Sequence, residues 1–178
     1  MAYWSIDLAP VLARMDGAAV EQLLSTPGAD CYRCAIARGK IAELRGDRAG
    51  ADRWFARAVR MGPSLPRAEQ AWGEAKLRRG DRAGAIALFR QAAKRAPRWA
   101  DPLKFEGDAL AAGGDPRGAI RKYRAAAERA PRWGGLQLAW GRALEATGKQ
   151  REALEKYRAA AVLDLTPAER AEVSRRLG

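Results

Sequence analysis

Small and apolar positions recur along this chain every thirty-four residues. Set in rows of that length from Tyr32, Gly39, Gly73, Gly107 and Gly141 share one column, and seven residues on Gly46, Gly80, Gly114 and Gly148 share another. Columns of Ala51, Ala85, Ala119 and Ala153, of Phe55, Phe89, Tyr123 and Tyr157, and of Ala58, Ala92, Ala126 and Ala160 follow. Pro63, Pro97 and Pro131 close three rows, where Leu165 closes the fourth. No insertion or deletion interrupts these columns, and self-similarity at a fixed period marks a repeat architecture.

Each row predicts a helix pair. "GEAKLRRGDRAGAIALFRQAAKRAP" is rich in good helix formers and holds no proline until its end. The second glycine column supplies a left-handed helix terminus, and the aspartates after it, Asp47, Asp81 and Asp115, suit the start of the next helix. Alanine, aromatic and alanine at spacings of four and three lie on one helical face. The closing proline stops the second helix. Glycine inside the first helix costs about 1 kcal/mol relative to alanine, so Gly39, Gly73, Gly107 and Gly141 need a reason; the pattern predicts that they make room for the partner helix's aromatic ring.

The flanks follow the same frame. Residues 1–31 read as a degenerate repeat, with Trp4, Leu8, Val11, Asp16, Val20 and Leu24 in register until "STPGAD" breaks it, and the pattern's presence at the first residues implies a longer parent chain. Four full repeats span 32–65, 66–99, 100–133 and 134–165. Over 166–178, Thr166, Pro167 and Glu169 form an N-cap, first-turn proline and capping box for a sealing helix. Eleven helices are expected in one all-α domain. A lone pair cannot bury its apolar face, so the units stack and each covers the next. Trp99 and Trp133, after the closing proline of "RAPRW", are expected to wedge against the next repeat's first helix.

The A-x3-F element, met as Ala51/Phe55, Ala85/Phe89, Ala119/Tyr123 and Ala153/Tyr157, resembles the tetratricopeptide repeat, with its pattern W-x2-L-G-x2-Y…A-x3-F…P. The departures are Ala35, Glu69, Leu103 and Gln137 at the tryptophan position and Ala42, Lys76, Leu110 and Leu144 at the tyrosine position; Lys76 fits only if its stem reaches water. The resemblance implies a right-handed α-solenoid whose first helices line a concave groove for a peptide or partner protein. The groove positions become Arg33, Ile36, Lys40 and Glu43; Arg67, Gln70, Glu74 and Leu77; Asp101, Lys104, Asp108 and Ala111; and Gly135, Leu138, Arg142 and Glu145. The chain has no asparagine, so the family's clamp for chaperone C-terminal carboxylates is not expected.

Charge adds a second reading. The net charge is +12, and the excess sits in 32–65, with eight basic residues against three acidic, and 66–99, with nine against three. It suits an acidic protein partner or another domain of the parent chain. Nucleic-acid or anionic-surface binding through Arg53, Arg57, Arg60, Arg90, Lys94 and Arg95 of the second helices is the weaker reading, because no aromatic-interleaved basic face accompanies them. The plainest source of the excess is compositional: arginine outnumbers lysine 26 to 7, as a GC-rich bacterial genome would produce.

Histidine is absent, which removes the commonest general base and metal ligand. No enzyme activity, cofactor or metal is expected. Cys31 and Cys34 form an isolated C-x-x-C that reads either as a redox pair at a helix N-terminus or, more plainly, as small buried residues. The chain holds no run of eighteen apolar residues and no secretory signal pattern, which places the expectation in the cytoplasm.

Overall fold

Four glycines set the turns. Gly46, Gly80, Gly114 and Gly148 take φ of 77–85°, the left-handed region where a Cβ is strained, and each ends the first helix of a pair. The computed structural model describes Gln22 and residues 31–178. Their helices are α1 (Tyr32–Leu44), α2 (Arg48–Met61), α3 (Arg67–Arg78), α4 (Arg82–Arg95), α5 (Asp101–Ala112), α6 (Pro116–Ala127), α7 (Gly134–Ala146), α8 (Gln150–Ala161) and α9 (Pro167–Leu177). The two further helices expected before Cys31 lie outside the described residues. Among those described there is no strand.

The aspartate after each of the first three turns caps the second helix. Asp47 accepts from the Gly50 N–H at 2.8 Å, Asp81 from Gly84 at 2.9 Å and Asp115 from Gly118 at 2.7 Å. At α9 the Thr166 side chain accepts from the Glu169 N–H while the Glu169 carboxylate accepts from the Thr166 N–H, the capping box that the sequence predicts.

Within each pair the aromatic ring lies under the glycine. A Cβ at Gly39 would come 2.7 Å from Phe55, and one at Gly73, Gly107 or Gly141 would press still closer on Phe89, Tyr123 or Tyr157. All four rings are almost fully buried. Each first helix packs on its own second helix, and each second helix on the next first helix. First helices also touch their successors directly, from α1 to α3 through to α7 and α9, whereas no two second helices make comparable contact. The stack is therefore tighter on the first-helix side and splayed on the other. The result is an all-α helical-repeat solenoid.

Polar ties bind neighbouring helices, both within a repeat and from one repeat to the next. Glu69 and Glu106 are buried, with 0% and 1% exposure. Arg95 of α4 lies 2.8 Å from Glu69 without the angle of a hydrogen bond, and burial pushes the Glu69 carboxyl up while Arg95 opposes the rise. Glu106 is held at 2.8 Å by Arg90 and at 2.9 Å by Lys122. Arg95 also donates to the Pro63 carbonyl, and Arg129 donates to the Pro97 carbonyl at 2.7 Å. The arginine of "RAP" thus grips the closing proline of the preceding repeat. Trp133 packs against the core, and Lys76 reaches Asp81 at 2.8 Å with its ammonium in contact with solvent.

Gly107→Ala should lower the unfolding free energy. Overpacking beneath Tyr123, whose hydroxyl is pinned to Asp108 at 2.9 Å, costs near the upper end of the usual range, about 3 kcal/mol, against roughly 1 kcal/mol of helix propensity gained. Urea unfolding should show a loss of about 2 kcal/mol. In a Tyr123→Leu background the same alanine should be neutral or stabilising; a loss in both backgrounds would contradict the ring-over-glycine packing.

Candidate functional site

The first helices present their solvent faces as one layer, and the mapped groove positions can be followed along it. On α1, Arg33 is exposed, Ile36 is half-buried against the α1–α2–α3 core and Lys40 is half-buried. Glu43 is sealed: Arg79, at the end of α3, donates to it from Nε at 2.9 Å and spans to Asp52 at 2.9 Å, and that arginine's side chain is only 10% exposed.

On α3, Arg67 is exposed and its guanidinium lies 6.0 Å from the centre of the Trp99 ring. Gln70 donates to Glu74 at 2.8 Å, and Leu77 packs against the cluster of Phe89 and Ala109. On α5, burial raises the Asp101 carboxyl against the pull of Arg67, Lys104 and a hydrogen bond from Trp99. Lys104 pairs with Asp108 at 2.7 Å and sits 5.6 Å from the Trp133 ring centre. Ala111 is exposed near the end of α5.

At α7 the layer is covered. Leu138 is 1% exposed and belongs to the core, not to an open groove. Arg142 donates to Glu172 of α9 from Nε at 2.7 Å, and Glu145 pairs with Arg176 of α9 while accepting the Tyr157 hydroxyl at 2.9 Å. A Cβ at Gly135 would sit 3.0 Å from Glu169. The sealing helix therefore pairs with Arg142 and Glu145 and stands against Gly135, while Leu138 is core, and the accessible part of the layer runs over α1, α3 and α5.

A second feature escaped the sequence. Tyr32, Leu65, Pro66, Arg67, Ala96 and Trp99 line a shallow apolar depression of ≈ 370 Å³ at the N-terminal ends of α1, α3 and α5. Tyr32 builds its wall: its hydroxyl donates to the Leu65 carbonyl at 3.0 Å and accepts the Ala68 N–H at 2.8 Å. Leu65 is 46% exposed. Leu65, Trp99 and Trp133 occupy one column of the repeat, and that column was the available signal.

The chain is similar to the crystal structure of MamA, a tetratricopeptide-repeat protein, with a TM-score of 0.66 and 17% identity over 87% of this chain and 86% of that one. A second MamA structure gives 0.65 and 16% over 82% and 87%. The fold is that of a tetratricopeptide-repeat solenoid. No protein-family model and no curated protein matches the sequence.

On this solenoid the second-helix cations divide. Arg90 and Arg95 are spent on the buried Glu106 and Glu69. Arg57 stacks 5.6 Å from the Trp54 ring centre. Arg53, Arg60 and Lys94 face solvent. Among the described residues no cluster of acidic or cysteine side chains could hold a metal, and no helix is long and apolar enough to cross a membrane. Cys31 and Cys34 correct the expectation of buried thiols: both are partly exposed and are joined as a disulfide.

The Arg142–Glu172 pair gives the solenoid's sealed end a pH dependence. Arg142 holds the Glu172 carboxyl below the ordinary glutamate range. Its contribution to α9 docking is complete above the ordinary value near pH 4.3 and is lost as the pH falls through the lowered one. The exchange protection at Val173, the observed rate set against the intrinsic amide rate at the same pH, should therefore fall on acidification below about pH 4, and Glu172→Gln should flatten that dependence.

Proposed function

We propose that the first-helix layer over α1, α3 and α5 is a docking surface for an acidic segment of a protein partner. Solved relatives of this fold support a protein-interaction scaffold at a coarse level; the location of the site and the partner's charge are our own reading. The carrying observation is that an exposed arginine, Arg67, lines an apolar depression on the first-helix layer. Arg33 and Arg67 stand exposed at the starts of α1 and α3, and Arg67 lines the depression together with Tyr32, Leu65 and Trp99, while the second-helix Arg90 and Arg95 pair with buried acids. Cations that face water beside an apolar hollow can accept carboxylates while an apolar side chain enters the hollow.

The basic excess of the first two full repeats falls on both their first and their second helices, so it adds positive charge to this end of the solenoid as a whole. Complementary charge of this kind raises the encounter rate and is screened by salt. The sealed α7 end contributes little, because its charges already pair with α9.

Fluorescence anisotropy with an acidic peptide containing one leucine or phenylalanine, set beside a random duplex DNA, tests the reading. Arg33→Glu and Arg67→Glu should each weaken peptide binding by about tenfold at low salt, close to 1.4 kcal/mol per reversal. Arg53→Glu with Lys94→Glu should change it little. DNA binding that survives physiological salt and responds only to Arg53 and Lys94 would overturn the reading in favour of an anionic-surface binder through the second helices.

A further inference from the structure

The chain's only two cysteines face each other across one helical turn. Cys31 is the N-cap of α1, with its sulfur accepting the Cys34 N–H at 3.1 Å, and the two Cα atoms are 5.0 Å apart. This bridge fastens no two elements together. It closes a loop within the first turn of a single helix, and so short a loop restricts the unfolded chain far less than a bridge spanning a repeat. The anchoring of α1 to its neighbour is done by Tyr32, through Leu65 and Ala68. A structural role is thus weakly served by this disulfide.

Its chemistry points elsewhere. We propose that Cys31 and Cys34 form a thiol–disulfide exchange site for a low-molecular-weight thiol–disulfide couple. Cys31 sits at the positive end of a thirteen-residue helix whose first turn carries no acidic residue and includes the exposed Arg33. Backbone N–H groups and this field favour a thiolate at the N-cap over a thiol. Cys34 lies inside the first turn, one bond-forming distance away, and serves as the resolving partner. Both residues are partly exposed, as access by a small thiol requires.

In the reducing direction a substrate thiolate attacks the Cys31 sulfur, the Cys31–Cys34 bond breaks, and Cys34 leaves as a thiolate that takes up a proton. A second substrate thiolate then attacks the substrate sulfur of the mixed disulfide, forming the substrate disulfide and expelling Cys31 as a thiolate. Two electrons pass from two thiols to the protein. The reverse sequence returns them to a substrate disulfide, with no other reactant needed. Neither a histidine nor a metal takes part, since the helix terminus itself stabilises the nucleophile. The site is independent of the docking surface proposed above, though Tyr32, between the two cysteines in sequence, also walls the depression.

The full chain, equilibrated in glutathione buffers from oxidising to reducing, trapped with an alkylating reagent and weighed by mass spectrometry, tests the proposal. A single two-electron transition between the bridged and the doubly alkylated forms is expected within that range. In the single variants, the Cys31 thiol of Cys34→Ser should alkylate about threefold or more faster at mildly acidic pH than the Cys34 thiol of Cys31→Ser, the net of a higher thiolate fraction and a lower intrinsic nucleophilicity. Circular dichroism shows whether both variants keep their helices. A pair that stays bridged, or stays reduced, in every buffer would overturn the proposal, and so would equal reactivity of the two thiols.

Discussion

An aromatic ring seated beneath a glycine is the constraint from which the rest of this molecule follows. With hydrogen in place of a side chain at Gly39, Gly73, Gly107 and Gly141, the two helices of a pair approach closely enough for Phe55, Phe89, Tyr123 and Tyr157 to be buried. The alanines before and after each ring keep the same face shallow, so the next first helix can lie against it. The pair is then a flat unit with two apolar sides, and stacking is the only way to cover both. The helix propensity lost at each glycine is small beside the burial of a whole aromatic side chain.

Electrostatics determines which surfaces remain for partners. The +12 charge suggests a molecule coated in cations, yet six of them are held in ion pairs that join one helix to another. Arg79 clasps Glu43 and Asp52, Arg90 and Lys122 neutralise Glu106, Arg95 balances Glu69, and Arg142 and Arg176 dock the sealing helix. The buried Glu69 and Glu106 would be costly without their cations, so Arg90, Arg95 and Lys122 are committed to the fold. Among the cations left facing solvent are Arg33 and Arg67 at the starts of α1 and α3, the second of them lining an apolar hollow.

The repeat, its turns and its caps were legible in the sequence because each rests on local chemistry repeated in place: a left-handed glycine, an aspartate three residues before a free N–H, a threonine with its glutamate. The groove was legible only as a set of columns. Whether a column position faces water depends on what the neighbouring unit places over it. Leu138 and Arg142 fall in the same frame as Gln70 and Glu74, but Leu138 is buried in the core and Arg142 is paired by α9, which follows no repeat pattern. Glu69 and Glu106 replace apolar residues of the repeat, and their partners come from other helices, so a one-dimensional reading finds the acids but not the arginines that make them tolerable. Sequence spacing identified the cysteine pair; its exposure and bridging emerged from the fold.

Proton NMR of the four packing glycines tests the central claim most directly. Each ring should shift the α-protons of its glycine strongly upfield by ring current, and nuclear Overhauser contacts should link Gly39 to Phe55, Gly73 to Phe89, Gly107 to Tyr123 and Gly141 to Tyr157. Glycine α-protons at random-coil positions, without contacts to those rings, would contradict the account.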